Sequence, residues 1–262
     1  MDSKIKILIT GGNGYVAKSL TAALRNTYEV YAITRAEFDL TDGEATIQWF
    51  KGKHFDVVIH CAITGGSRLK GDTFKDMDRN LCMYYNLLQC QSHYNKFIQF
   101  GSGAELLQKD TPYGLSKHVI RQSMLEKNRF YNIRIFGVFD ENEWETRLIK
   151  TCIKKYINNE SMEIHQNKYM DFFYMEDLVS LVEFYILNNN LPKEIDCTYY
   201  ESKTLYHITD IINHLNGHQV EIKLNNSGIG TEYIGKFTDL GINYIGLEQG
   251  IIETYNKLKN EH

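Results

Sequence analysis

Proline is almost missing from this chain, with only Pro112 and Pro192 among 262 residues. Few positions therefore impose a hard stop, and element ends must be read from glycine, asparagine and capping residues. Cysteine is sparse: the five residues at 61, 82, 90, 152 and 197 form no Cys-x-x-Cys pair and are odd in number. That argues against a disulfide framework or a zinc site and for a reducing cytoplasm. Positive charge is not in excess, with 29 basic against 33 acidic side chains and a formal charge of −4. A nucleic-acid partner is not expected from such a balance. No apolar run approaches the roughly 18–20 residues of a membrane span, so no membrane partner is expected either. Nine histidines are scattered without a second ligand at metal spacing, so no metal is expected. The start, Met1-Asp2-Ser3-Lys4, runs straight into a strand-like segment, and no signal peptide is expected.

What is present is an alternation. Short β-branched runs at Ile5–Ile9, Glu29–Ile33, Asp56–His60, Lys96–Phe100 and Asn132–Phe136 read as strands. Segments of helical period separate them: Tyr15–Leu24, Glu44–Phe50, Thr73–His93 and Gly114–Phe130. This is the pattern of an α/β protein with a doubly wound parallel sheet, a Rossmann fold. Further on, Trp144–Ile157, Met175–Leu187, Leu205–Leu215 and Leu247–Leu258 read as helices, Ile195–Tyr199 as a sixth strand, and Asn225–Gly230 as a surface turn. The expected division is a nucleotide-binding domain of residues 1–139 plus 171–199, and a small substrate lobe of 140–170 plus 200–262.

The first strand leads into Thr10-Gly11-Gly12-Asn13-Gly14-Tyr15-Val16-Ala17. Gly11 permits the tight exit from the strand, Gly14 lets a pyrophosphate approach the helix start, and Ala17 keeps helix and sheet close. A bare tight turn is the alternative, although three glycines in four positions lose backbone entropy for no gain in that case. The second strand ends in Ile33-Thr34-Arg35 rather than an acidic residue. An arginine beside a hydroxyl suits a 2′-phosphate, so NADP is favoured over NAD; a solvated Arg35 is the alternative. Asp39, next to Leu40, could bond the adenine amino group or cap a turn.

Tyr113 and Lys117 stand four apart at the start of a helical run, on one face. An ammonium beside a phenol favours the phenolate, which tunes the tyrosine to exchange a proton with a carbonyl/alcohol pair. Ser102, just past the fourth strand, can share charge that develops on a substrate oxygen, or can simply cap a small-residue turn.

These residues resemble those of extended short-chain dehydrogenases/reductases of the sugar-nucleotide epimerase/dehydratase class. Within it the pattern is similar to GDP-fucose synthase and related 4-keto-sugar-nucleotide reductases. The similarity runs from Thr10–Ala17 through Thr34–Leu40, His60-Cys61-Ala62, Asn80, Gly101-Ser102, Pro112-Tyr113 to Lys117 and Asp171–Leu178, and reaches Asp239-Leu240-Gly241 and Leu247–Gly250. It implies Ser102, Tyr113 and Lys117 as the catalytic set. It implies a dinucleotide held by Gly11, Gly12, Asn13, Gly14, Tyr15, Val16, Thr34, Arg35, Asp39 and Leu40. Cys61, Ala62, Ile63, Asn80, Tyr113, Lys117 and Phe136 would complete that site, with Arg134–Val138 bordering nicotinamide and sugar. Ser102, Gly103, Ala104, Tyr113, Gly137, Arg147 and Lys168 would meet the substrate. A homodimer through the helices at Thr73–His93 and Gly114–Phe130 is also implied. Its face would use Met83, Tyr84, Leu87, Leu88, Val119 and Met124, unless these are only each helix's core-facing stripe.

The chain departs from that pattern where epimerisation is concerned. Ala104 replaces a cysteine and Arg147 falls near a histidine position, and an alanine cannot take a proton from carbon. Met170 replaces a phosphate-binding arginine, with Lys168 nearby, and Phe139-Asp140-Glu141 replaces Tyr-Gly-Pro. The expectation is an NAD(P)H-dependent reductase of a nucleotide-linked 4-keto-6-deoxy sugar, serving surface polysaccharide synthesis. The alternatives are an NAD-retaining 4-epimerase, or a dehydratase, whose acidic pair after the serine is represented only by Glu105, one position too far on, and a non-catalytic dinucleotide sensor.

Overall fold

A computed structural model describes residues 4–67 and 70–260; Met1-Asp2-Ser3 and Glu261 lie outside the described residues. The chain begins β1 (Lys6–Thr10), α1 (Tyr15–Leu24), β2 (Glu29–Ile33), α2 (Gly43–Phe50), β3 (Phe55–His60) and α3 (Phe74–Gln89). It continues β4 (Tyr94–Ser102), α4 (Ala104–Leu107), α5 (Pro112–Met124), β5 (Phe130–Ile135), β6 (Val138–Phe139) and α6 (Leu148–Ile157). It ends β7 (Met162–Asn167), β8 (Phe173–Tyr174), α7 (Met175–Leu187), β9 (Glu194–Cys197), α8 (Leu205–Asn213), β10 (Ile222–Ile229) and α9 (Leu247–Lys259).

Two units result: Met1–Arg134 with Val182–Ile195, and Ile135–Leu181 with Asp196–His262. Residues 135–139, 171–181 and 196–199, expected in the nucleotide-binding unit, fall in the second. One reason is local pairing: β6 and β8 bond to each other in parallel as a separate two-stranded sheet.

The larger sheet has six strands in the order β2-β1-β3-β4-β5-β9. β1 pairs in parallel with both β2 and β3, and β3 with β4. The chain thus leaves β1 to one side for β2 and returns to the other for β3. In open parallel sheets the crevice at that reversal, beyond the strands' carboxyl ends, receives the ligand. Ile7, Leu8 and Ile9 are fully buried, as a strand covered on both faces requires.

Local signals start the helices. Thr73 and Asp76 form a reciprocal capping box for α3, and Thr111 caps α5 ahead of Pro112 at its first position. Met83, Tyr84 and Leu87 of α3 and Met124 of α5 are buried in one cluster with Leu8, Val58 and Phe97 of the sheet. They are core, not a docking face, which corrects their expected use in a dimer: burying them within the protomer already satisfies the amphipathic stripe. Lys96, buried in β4, donates to the carbonyls of Tyr185, Ile186 and Asn188 at 2.6–2.8 Å, so a cation terminates α7.

The second unit has its own core, in which Phe139, Ile149, Ile153, Tyr156, Ile208 and Ile251 are fully buried. Asn225–Gly230 is not the expected turn, because most of it belongs to β10, parallel to β7. Asn225, Asn226, Ser227 and Gly228 are exposed turn-type residues, so composition reads as loop while the backbone pairs. Among the described residues no helix is long and apolar enough to cross a membrane.

Candidate active site

Gly11 leaves β1 at φ +68°, and a Cβ there would lie 2.7 Å from Ala62 Cα. The first and third strands' loops thus touch backbone to backbone. Thr10 Oγ1 shares a 2.7 Å hydrogen bond with His60 Nδ1 and accepts from the Ala62 amide at 3.2 Å. Burial, aided by Lys117, pushes the His60 pKa down to about 3, so the ring stays neutral. Gly14 is the N-cap of α1 and supplies no side-chain cap, and the first turn holds no acidic residue. Amides at such a helix start suit an anion. The residues present therefore fit a pyrophosphate, with Asn13 exposed and Tyr15 and Val16 half-buried at the same turn.

At the end of β2 the Glu37 carboxylate accepts from the Thr34 amide at 2.6 Å and its hydroxyl at 2.8 Å. These bonds hold the Glu37 carboxyl below the usual range. Thr34 is thereby committed within its own turn, leaving exposed Arg35 as the cation there. Asp39 accepts from the Thr41 amide and hydroxyl, both at 2.9 Å, which is the turn-capping arrangement, and Leu40 is buried in the core. Cys61 and Ala62 are half-buried, and Ile63 is exposed. Asn80, 1% exposed, accepts from the Thr64 amide and donates to the Thr64 carbonyl and to Ser116 Oγ. It ties the loop after β3 to α5, one residue from Lys117.

Ser102, Tyr113 and Lys117 all belong to the first unit. Ser102 ends β4 and Tyr113 opens α5. Lys117 Nζ lies 5.9 Å from the Tyr113 ring centre and donates to the Phe100 carbonyl at 2.5 Å. Burial pulls the Lys117 pKa down to about 8, against the opposing pull of Glu105 and Cys61. The ammonium is thus largely present at neutral pH and lost above it. Ser102 Oγ accepts from the Ala104 amide at 3.2 Å, and Gly103 is the N-cap of the short helix α4. Ala104 is buried.

Sequence reasoning gave Glu105 too little weight. Its side chain is fully buried and accepts from Arg134 Nε at 2.6 Å, Asn132 Nδ2 at 2.7 Å and the Ser102 amide at 3.3 Å. Arg134, expected to border nicotinamide and sugar, puts its guanidinium instead between Glu105 and Glu194, which also pairs with Arg121. A signal existed in the sequence. Arg134 sits among apolar strand residues and Glu105 beside Ala104 and Leu106, and buried charges require partners.

In the second unit Phe136 and Lys168 share a neighbour that the sequence did not flag, Tyr233. The Phe136 ring meets it edge-on at 5.4 Å, and Lys168 Nζ stands 5.8 Å from its centre. Gly137 lies against Phe172, where a Cβ would come within 2.9 Å of the ring. Arg147 is the N-cap of α6 and is not drawn to these residues by any hydrogen bond; its amide donates to the Trp144 carbonyl.

The family model described as "NAD dependent epimerase/dehydratase family" matches residues 7–196. This chain belongs to that family. It is accordingly a nicotinamide-dependent enzyme of the short-chain dehydrogenase/reductase type. It is 22% identical over 251 residues to CDP-abequose synthase of Yersinia pseudotuberculosis, covering 86% of this chain and 87% of that one. Its fold is similar to that of an NADP-bound GDP-mannoheptose C4 reductase from Campylobacter jejuni, with TM-score 0.81, 16% identity and 99% of each chain covered. It is equally similar to UDP-glucose 4-epimerase from Thermotoga maritima, with TM-score 0.81, 16% identity, and 98% of this chain and 99% of that one covered.

One further residue of this family member bears on Tyr113. Gly66, at φ +71°, sits against the phenol, and a Cβ there would lie 2.8 Å from Tyr113 Cε2. Its amide donates to Asp72 Oδ1 at 2.6 Å. Gly66→Ala combines a strained backbone with a displaced ring. Its kcat should fall about 10- to 100-fold, the scale set by sub-ångström misplacement of a reacting group, with the fold retained. Steady-state kinetics beside a thermal melt tests this.

Proposed function

We propose that this enzyme is an NADPH-dependent reductase of a nucleotide-linked 4-keto-6-deoxy sugar, whose product serves surface polysaccharide assembly. The observation that carries the reading is the state of Glu105. Alone among the acidic groups that follow Ser102 closely, it is buried and turned onto Arg134 and Asn132, and Gly103 and Ala104 bring no acid or base. That region therefore offers no group for the carbon-proton chemistry of a dehydratase or of the C3/C5 epimerisation. What remains is one carbonyl/alcohol exchange.

A nicotinamide dinucleotide held at the glycine loop would, when bound, supply the hydride for the keto carbon. Tyr113 donates its phenolic proton to the oxygen that becomes the alcohol, and Ser102 Oγ hydrogen-bonds the same oxygen as charge develops. Lys117 stabilises the phenolate left behind and holds the ribose. Gly11, Gly12, Asn13, Gly14 and the start of α1 hold the pyrophosphate, with Cys61, Ala62 and Ile63 beside it and Asn80 fixing that loop. Arg35 favours NADP over NAD by pairing with a 2′-phosphate. Phe136 would border the cofactor, and Gly137, Arg147 and Lys168 would meet the sugar nucleotide. A homodimer would use α3 and α5 surfaces outside the buried stripe, and the cytoplasm is the expected compartment.

A panel of nucleotide-linked 4-keto-6-deoxyhexoses, each offered with NADPH and with NADH, tests the reading. The expected result is stoichiometric cofactor oxidation, faster with NADPH, and an alcohol at C4 by NMR. Interconversion of sugars without added cofactor, or no oxidation across the panel, would overturn it.

A further inference from the structure

We propose that Glu105 is a positioning residue: its carboxylate, locked by Asn132 and Arg134, holds the backbone at Ser102 and supplies the counter-charge to the Lys117 ammonium. The inference rests on the reductase reading for its kinetic part only.

The geometry begins at Gly101. A Cβ there would lie 2.7 Å from Glu105 Oε2 and 2.6 Å from Asn132 Oδ1, so the strand residue between Phe100 and Ser102 is bare in order to admit the carboxylate. On one side of Gly101 the Phe100 carbonyl accepts from Lys117 Nζ; on the other the Ser102 amide donates to Glu105 Oε2. Glu105 therefore braces the end of β4, which carries Ser102 and whose Phe100 carbonyl accepts from Lys117. Burial pushes the Glu105 carboxyl above its ordinary range, and Arg134, Asn132 and the Ser102 amide pull it back. Arg134 Nε and Asn132 Nδ2 can only donate, so the carboxylate form is the one that meets them both.

The surrounding charges determine the sign of the effect. Lys117 is faced by Cys61 and neutral His60 from the end of β3, by the Phe100 carbonyl of β4, by Tyr113 of α5 and by Glu105 of α4. Glu105 is faced by Arg134 and Asn132 of β5 and by Arg121 of α5, whose Nε is 3.9 Å away; the His118 ring bonds its carbonyl. Glu194 of β9 completes the set by pairing with both arginines. Two glutamates thus balance two arginines. Neutralising Glu105 leaves the cluster one positive charge in excess beside Lys117, and a like charge favours the neutral amine.

The first measurement needs neither substrate nor cofactor. Carbamylation of the apoprotein by cyanate, followed at Lys117 by peptide mass spectrometry across pH, reports the fraction of free amine. In Glu105→Gln the midpoint should move about one pH unit toward acid, the order expected for loss of one nearby buried charge. In Glu105→Asp, which keeps the charge but shortens its reach, the midpoint should stay, while kcat falls about tenfold because Ser102 loses its brace. With an active ketosugar, the alkaline limb of kcat should follow the same shift in Glu105→Gln and not in Glu105→Asp. An unmoved midpoint in Glu105→Gln that is folded by circular dichroism overturns the proposal. Should that variant not fold, Glu105→Asp decides: an unchanged kcat overturns the bracing role and a shifted midpoint the counter-charge. Wild-type enzyme inert toward every ketosugar removes the reductase reading and leaves the Lys117 measurement standing.

Discussion

Tyr113→Phe should lower kcat for ketosugar reduction by about 10³-fold, within the range that a positioned general acid contributes. The substitution removes one oxygen and nothing else. The ring still packs against Gly66, and α5 still begins at Thr111 and Pro112, so neither fold nor loop position changes. KM and dinucleotide affinity should therefore stay near wild type, because the phenol hydroxyl acts on the oxygen that gains charge and not on the pyrophosphate. Steady-state kinetics together with a fluorescence titration of NADPH separates the two. Unchanged turnover would remove Tyr113 from the chemistry and return the non-catalytic dinucleotide sensor to first place.

The second large effect is expected one residue away and is structural in origin. A Cβ at Gly114 would lie 2.0 Å from the Gln108 carbonyl oxygen and 2.9 Å from the Ala104 oxygen, both backbone atoms that cannot swing aside. The loop from Ser102 to Tyr113 is short, and this contact is how it closes. α4 comes directly onto the first turn of α5, and only a residue without a side chain fits between them. Gly114→Ala should cost about 3 kcal/mol or more, at or beyond the upper end of overpacking penalties, and lower Tm by on the order of 10 °C. The relief available is a shift of α5, which moves Tyr113 and Lys117 together away from Ser102, so kcat should fall with stability. Gly71→Ala is the control: among the described residues its Cβ would meet nothing within 4 Å, and its melt should match wild type. If Gly114→Ala melts like wild type, the contact between α4 and α5 is not as close as described.

Both predictions turn on residues whose importance was legible to different degrees. Tyr113 and Lys117 could be found from four-residue spacing and their place after the fourth strand. The glycine loop could be found from the run that precedes a helix-period segment, and α1 and α7 have the bounds that periodicity indicates. Local rules suffice there because spacing along a helix is a local property. Gly114 and Gly66 carry no such mark. Their need for hydrogen in place of a side chain comes from groups six and forty-seven positions away, and it depends on how the chain turns back on itself rather than on residue spacing.

The limits of sequence reading have the same cause elsewhere. Asn225–Gly230 looks like a turn because its side chains face solvent, yet its backbone pairs with a strand sixty residues earlier. Met83, Tyr84 and Leu87 form a stripe that would suit a partner or a core equally, and only packing against Leu8 and Phe97 decides for the core. Thr34 beside Arg35 suggests a phosphate clamp until Glu37 is found to hold the hydroxyl.

The amino-acid order by itself determined the alternation of strands and helices, the glycine turn at the head of α1 and the Tyr-Lys pair, since periodicity, capping and close backbone approach act over a few residues. Tertiary structure alone decided which charges are buried and what meets them. Glu105 and Arg134 are twenty-nine positions apart, and their pairing exists only because β4 and β5 lie side by side in one sheet. Burial, which removes water as the alternative partner, is a property of the folded whole and not of any segment.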